Sequence, residues 1–241
     1  MDHQVRDLFS SNFPILLIGE HPSFLGFDFF AVAASTADIP NHSGKLYFLG
    51  WLLAQGIIPG FHPWMFPITV TPEEFGPLPT NEHRFGPFTD WVQACAPQIS
   101  GYQSARFNAK SLRSFTQSWM NGNRVLIFPD GGPVTVPHWR SGLGRVLIQA
   151  KKVAKQRPSF DLYILFFRVE GADDRLLLNP PILSRYHLLR LFFRPKRKSI
   201  VVRYGIPMRL KEIGKTLSSQ SPRAIVESLQ KKYKQQLGEN P

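Results

Sequence analysis

His21 and the run Phe128-Pro129-Asp130-Gly131-Gly132 are the residues whose types and spacing suit chemistry. A histidine has a free pKa near neutrality, so it serves as a general base at physiological pH. Such a base needs a carboxylate to fix its tautomer, and Asp28 is the nearest acid downstream. Asp28 lies in the apolar stretch Phe24-Leu25-Gly26-Phe27-Asp28-Phe29-Phe30, where an unpaired charge would be costly. The carboxylate and two glycines of Asp130-Gly131-Gly132 make a tight polar turn, a candidate ligand site. Beyond them Arg140, Gly142 and Gly144 open a helix-like segment. The same residues also fit a plainer reading, a helix-start histidine and a strand ending in a glycine turn.

Both groups need elements to hold them. Phe13 to Gly19 reads as a buried strand that Glu20-His21-Pro22-Ser23 breaks. Val125 to Phe128 reads as a second buried strand, stopped by Pro129. Two strand ends of one α/β sheet can converge on a single cleft, and ligands of open α/β sheets bind at those ends. Phe24 to Ser35 is predicted helical, and so is the apolar run Leu46 to Ile58. From Pro59 to Pro97 eight prolines exclude long regular elements, which marks an insertion at about 59–98. A helix over Ala109 to Met120, with Asn108 as its cap, is predicted next. After the strand at 125–128, a helix at about 142–155 follows, then strands over Phe160–Val169 and Ile200–Tyr204. Ser221 to Leu237 closes the chain as an amphipathic helix, with Ser221 as cap and Pro222 at its first position. This order predicts one α/β domain over 1–241, a mainly parallel twisted sheet covered by helices.

Composition narrows the chemistry. The chain has 241 residues, 43% of them hydrophobic, enough for one large core. One cysteine, Cys95, excludes a disulfide framework and a cysteine zinc cluster. The seven histidines show no HExxH pair, so no metal is expected. No secretory leader and no membrane span are expected. The net charge of +12 is unevenly placed. Residues 1–139 carry 7 Lys/Arg against 10 Asp/Glu, a net of −3, and residues 140–241 carry 22 against 7, a net of +15. Nucleic acid, anionic lipid and phosphorylated cofactors all fit that sign. No RNA-binding motif accompanies the charge, so nucleic acid is not the expected partner. Arg185 to Lys198 (RYHLLRLFFRPKRK) mixes basic and apolar residues as a headgroup boundary requires. Leu46 to Trp64 offers a second apolar contact.

Taken together, the chain resembles the glycerolipid acyltransferase family, typified by bacterial enzymes that acylate lysophosphatidic acid. The family's NHxSxxD box is matched by Glu20-His21-Pro22-Ser23-Phe24-Leu25-Gly26, and its FPEGTR motif by Phe128-Pro129-Asp130-Gly131-Gly132-Pro133. Gly44 to Pro59 resembles the segment leading from the family's second helix to a strand. Arg106 falls where its second motif places an arginine, and VVRYGIP (201–207) resembles its closing strand. The departures are Gly26 at the aspartate position, Asp130 for glutamate, and Gly132 and Pro133 for threonine and arginine. In a regular helix the two residues from 26 to 28 turn the side chain by about 200°. The lost arginine argues against a glycerol-phosphate acceptor; Arg106 and Arg140 are the candidates to compensate.

The resemblance implies O-acyl transfer from acyl-CoA or acyl carrier protein to a hydroxyl of a lysophospholipid or other lipid. His21 would be the base and Asp28 its orienter. Ser23, Arg106, Asp130, Gly131, Gly132 and Arg140 would line the substrate side. Ser23 has no GxSxG elbow and reads as a cap, not a nucleophile. No bound cofactor is implied. The expected setting is peripheral, at the anionic cytoplasmic face of a membrane. The alternative is a non-catalytic lipid- or acyl-binding relative with a degenerate motif.

Overall fold

The protein is described here by a computed structural model. It describes residues 2–11, 13–20, 27–37, 39, 46–51, 65–68, 101–129, 139–156, 161–170, 200–213 and 221–238. The elements run α1 His3–Ser10, β1 Ile15–Gly19, α2 Phe27–Ala37, β2 Leu46–Trp51, β3 Met65–Ile68 and α3 Gly101–Met120. There follow β4 Arg124–Ile127, α4 Gly142–Ala154, β5 Tyr163–Glu170, β6 Val201–Tyr204, β7 Met208–Arg209, α5 Leu210–Ile213 and α6 Pro222–Leu237. They form an α/β fold whose sheet has the order β3-β2-β4-β1-β5-β6, with β7 also on β5. Strands β1 to β5 are parallel, and β6 and β7 run antiparallel to β5.

The central strand β1 (ILLIG) is buried along its whole length, as a strand covered on both faces must be. Its alternate residues feed two cores. Leu16 and Ile18 join Val125, Ile127, Ile164 and Phe166 beneath α3, α4 and α6. Ile15 and Leu17 join Leu126, Leu165 and Phe167 beneath α1 and α2. The crossovers obey one hand: the sheet grows from β1 to β2 by way of α2, and returns from β3 to β4 and on to β5 by α3 and α4 on the other face.

Several elements differ from the sequence reading. Leu46–Trp51 is a strand, not a helix. A continuous apolar run suits either state; here β3 and β4 flank it on both edges. Met65–Ile68, inside the proline-rich stretch, is the edge strand β3. Pro67 is tolerated there because an edge residue need not donate to a ladder. Helix α3 begins at Gly101, so Asn108 lies inside it and is not its cap. Helix α1 had no counterpart in the reading; Asp2 caps it by accepting from the N–H of Gln4 at 3.0 Å. The final helix is as expected: Ser221 Oγ accepts from Ala224 N at 3.3 Å, and Ile225, Val226, Leu229 and Tyr233 are buried.

Two buried polar groups lock α1 and α2 to the sheet. Arg124, at the start of β4, is buried and donates to the carbonyl oxygens of Phe9 and, at 3.3 Å, Ser11. A cation there also suits the negative end of the α1 dipole. Burial pulls its pKa below the usual arginine range. On β6, the Tyr204 hydroxyl meets Ser35 Oγ of α2 at 2.6 Å. Burial pushes that phenol up to about 12, and the Ser35 hydroxyl offsets only part of the rise.

Candidate functional site

The connections of this fold are unequal. At the amino edge of the sheet they are short: 11–14 before β1, 38–45 before β2, 121–123 before β4 and 155–162 before β5. At the carboxyl edge the chain leaves for 20–26, 52–64, 69–100, 128–141 and 171–200. Long connections on a rigid scaffold are where binding and catalytic residues concentrate. Apart from β3, the proline-rich stretch lies outside the described residues, as does the basic-aromatic segment 185–198.

Within that edge one position is special. Strands β1 and β4 are hydrogen-bonded neighbours, with Ile18 opposite Ile127. The chain leaving β1 goes to α2 on one face, and the chain leaving β4 goes to α4 on the other. Adjacent strands whose connections part to opposite faces leave a crevice between them, the topological switch point of an open α/β sheet. His21 lies two residues beyond the end of β1, and Asp130 three beyond the end of β4. Both sequence motifs therefore depart from the two strands that border the crevice.

Two aromatic rings meet near the carboxyl ends of these strands. Phe128, just past β4, and Phe167, on β5, meet edge to face with centroids 5.8 Å apart. Gly19 lies opposite Phe167 on the intervening strand. A Cβ on Gly19 would come within 2.6 Å of Phe167 Cζ and 2.7 Å of its carbonyl oxygen. The glycine is what lets the ring cross β1. Phe167 is fully buried, while Phe128 keeps partial exposure. This trio was missed at the sequence level, although a glycine ending a strand is a known sign of close approach.

The remaining predicted residues distribute as follows. Arg140 is half-buried, and its N–H donates to Pro129 O at 2.7 Å. Pro129 and Arg140, on either side of 130–138 in the sequence, are thus tied together. Trp139, buried against Phe166 and Tyr233, anchors the return. Arg106 is exposed in the second turn of α3. It lies about 20 Å along the axis from Met120, which is at the amino edge, so Arg106 belongs to the carboxyl end. Asp28 lies in α2. His21, Ser23, Asp130, Gly131, Gly132 and the Asp28 side chain lie outside the described residues.

Gly144 has a structural task. A Cβ there would lie 2.7 Å from the Cα and C of Pro222, and closer still to its carbonyl oxygen. The glycine lets α4 pack directly on the start of α6.

No helix among the described residues is long and apolar enough to cross a membrane. A scan against protein-family models and a search of curated proteins both found no match.

Proposed function

We propose that the protein is an acyltransferase that moves a fatty acyl group from a thioester donor to a lipid hydroxyl, with His21 as general base. The observation that supports this most is the pairing of β1 with β4, Ile18 opposite Ile127. The two motifs that resemble the glycerolipid acyltransferases follow these paired strands directly in the sequence, which supports their acting together. In this reading His21 takes the proton of the acceptor hydroxyl, and the oxygen attacks the thioester carbonyl. Backbone N–H groups of the Asp130-Gly131-Gly132 turn stabilise the tetrahedral oxyanion. Collapse of that intermediate breaks the carbon–sulfur bond, and the thiolate leaves with the proton held by His21. Asp28 orients the base. The partly exposed ring of Phe128, backed by buried Phe167, offers apolar surface that suits an acyl chain.

A second reading, a non-catalytic lipid- or acyl-binding relative, is favoured by Gly26 at the motif's aspartate position and by Pro133. Thiol release from acyl-CoA, and from acyl carrier protein, in the presence of a panel of lysolipids separates the two. The expected result is release by the wild type and a fall of about 10²–10⁴-fold for His21→Ala, the range of a lost general base. Lysolipid binding without thiol release would establish the second reading. Release undiminished in His21→Ala would remove His21 from the mechanism.

A further inference from the structure

The charge of this chain, counted along the sequence, divides near residue 140; in the fold it divides by layer. Helix α3 carries Arg106, Lys110 and Arg113 and no acid. Helix α4 carries Arg145, Lys151 and Lys152 and no acid, with Lys155 following at its cap. Helix α6 carries Arg223, Lys231, Lys232 and Lys234 against one acid, Glu227, which pairs with Arg223 at 3.1 Å. On the other face, α1 and α2 together carry one basic residue, Arg6, against Asp7 and Asp28. The contribution of α3 is invisible to a count by halves, because its three cations fall in the half with a net of −3.

These cations are arranged, not scattered. Arg106, Lys110 and Arg113 are all exposed, at the i, i+4, i+7 spacing of one helix stripe. Arg145, Lys152 and Lys155 form an exposed stripe on α4, and Arg223, Lys231 and Lys234 one on α6. Helix α4 packs against both α3 and α6. Each helix turns its apolar side to the sheet, so the stripes share the outer side of one layer. At helix spacings of about 8–10 Å the layer is about 20 Å across, and α3 is about 30 Å long. A low, wide surface of this size carries nine exposed cations.

We infer that the outer surface of the α3–α4–α6 layer docks on an anionic lipid bilayer. The large apolar side chains of these helices are turned inward: among the described residues, the exposed ones are Phe13, Ile200, Val201 and Ile206, none of them in the layer. Docking here is therefore electrostatic, without insertion, and decays within a Debye length of about 8 Å at physiological salt. Nucleic acid fits less well. Single strands are held by stacking on exposed aromatic rings, whereas Phe115, Trp119 and Tyr233 are buried. A duplex groove is entered by a projecting helix, whereas α4 is flanked on both sides. The choice of lipid rests on the lipid-acceptor reading above. The docking face rests on residues other than those of segment 185–198.

The test is vesicle co-sedimentation of the full chain, with phosphatidylcholine alone or mixed with phosphatidylserine, across a salt series. Four exposed cations are neutralised together: Lys110→Gln, Arg113→Gln, Lys152→Gln and Lys155→Gln. Glutamine keeps helix propensity close to that of lysine and arginine, and circular dichroism checks the fold. Each cation near a charged membrane contributes about fivefold in partitioning. The expected result is salt-sensitive binding to anionic vesicles only, weakened at least tenfold in the quadruple variant. A matched variant of the other segment, Arg190→Gln, Arg194→Gln, Lys196→Gln and Lys198→Gln, is measured beside it. Binding that survives the helix substitutions, or duplex RNA bound at salt where vesicles are not, overturns the inference. A wild type that docks but releases no thiol counts against the catalytic reading and leaves the docking face standing.

Discussion

Replacing Gly144 by alanine tests the close contact between α4 and α6. Inside a helix this change alone gains about 1 kcal/mol, because alanine loses less backbone freedom. Here the new Cβ would sit 2.7 Å from two backbone atoms of Pro222. Carbon atoms are best placed at about 3.5–4.0 Å, so α4 and α6 must part by about 1 Å. The obstacle is backbone, so no side-chain rotation relieves it. A gap of that size forfeits about a quarter to a half of the dispersion energy of the contacts it opens. Those contacts include buried Val226 and Ile225, which share a core with Leu143 and Leu147. Overpacking of this kind costs about 1–3 kcal/mol, and more when backbone must move. We expect a net loss of about 2 kcal/mol for Gly144→Ala. Gly142 is the internal control. Its added Cβ would lie 3.7 Å from Leu112 Cδ1, an ordinary contact. Gly142→Ala should therefore be neutral or slightly stabilising, roughly half a kcal/mol. Urea unfolding at 25 °C reads both. With a slope of about 2–3 kcal/mol/M, the Gly144→Ala midpoint should fall by about 0.7–1 M. A midpoint equal to or above the wild type would refute the packing argument.

Two further changes probe the locks on α1 and α2. Tyr204→Phe removes the 2.6 Å contact with Ser35 and should cost about 1 kcal/mol at neutral pH. The phenol is raised in the fold to about 12 from 10.0, so its contribution is complete below pH 10 and lost as pH rises from 10 to 12. A rise of that size corresponds to about 2.7 kcal/mol, more than the hydrogen bond contributes, so the wild-type urea midpoint should fall to and then below that of the variant across that window; a constant gap would contradict the assignment. Arg124→Leu strips the donors from the Phe9 and Ser11 carbonyls and should destabilise by about 2 kcal/mol, offset in part by removal of a desolvated charge. Limited proteolysis should then cut ahead of β1 before the rest of the chain, and an unchanged cleavage pattern would show that α1 docks without Arg124.

The parts legible in the sequence are those where local pattern and tertiary role agree. Helix α6 was readable to the residue, because Ser221, Pro222 and the spacing of Ile225, Val226, Leu229 and Tyr233 all point one way. Strands β1 and β4 were readable because a β-branched run meets a breaker at each end. The start of α3 was not, since its early turns hold no apolar stripe; Ala105 and Arg106 are exposed. The apolar run at 46–51 was ambiguous for the opposite reason. Every side chain in it suits a core, so only its neighbours β3 and β4 could decide its state.

The candidate site divides in the same way. Residue order alone placed His21 after one strand and Asp130-Gly131-Gly132 after another, because breakers and β-branched runs act over a few residues. It held no information on whether those strands are neighbours. They are 105 or more residues apart along the chain, and their pairing is set by the burial of both faces of β1. Only the tertiary structure put Ile18 beside Ile127 and sent the two connections to opposite faces. Only it showed that Gly19 clears the way for Phe167, and that Gly144 serves helix packing. Charge followed the same rule. Summation along the chain yields a net sign, whereas helix periodicity and layer packing decide which surface displays it.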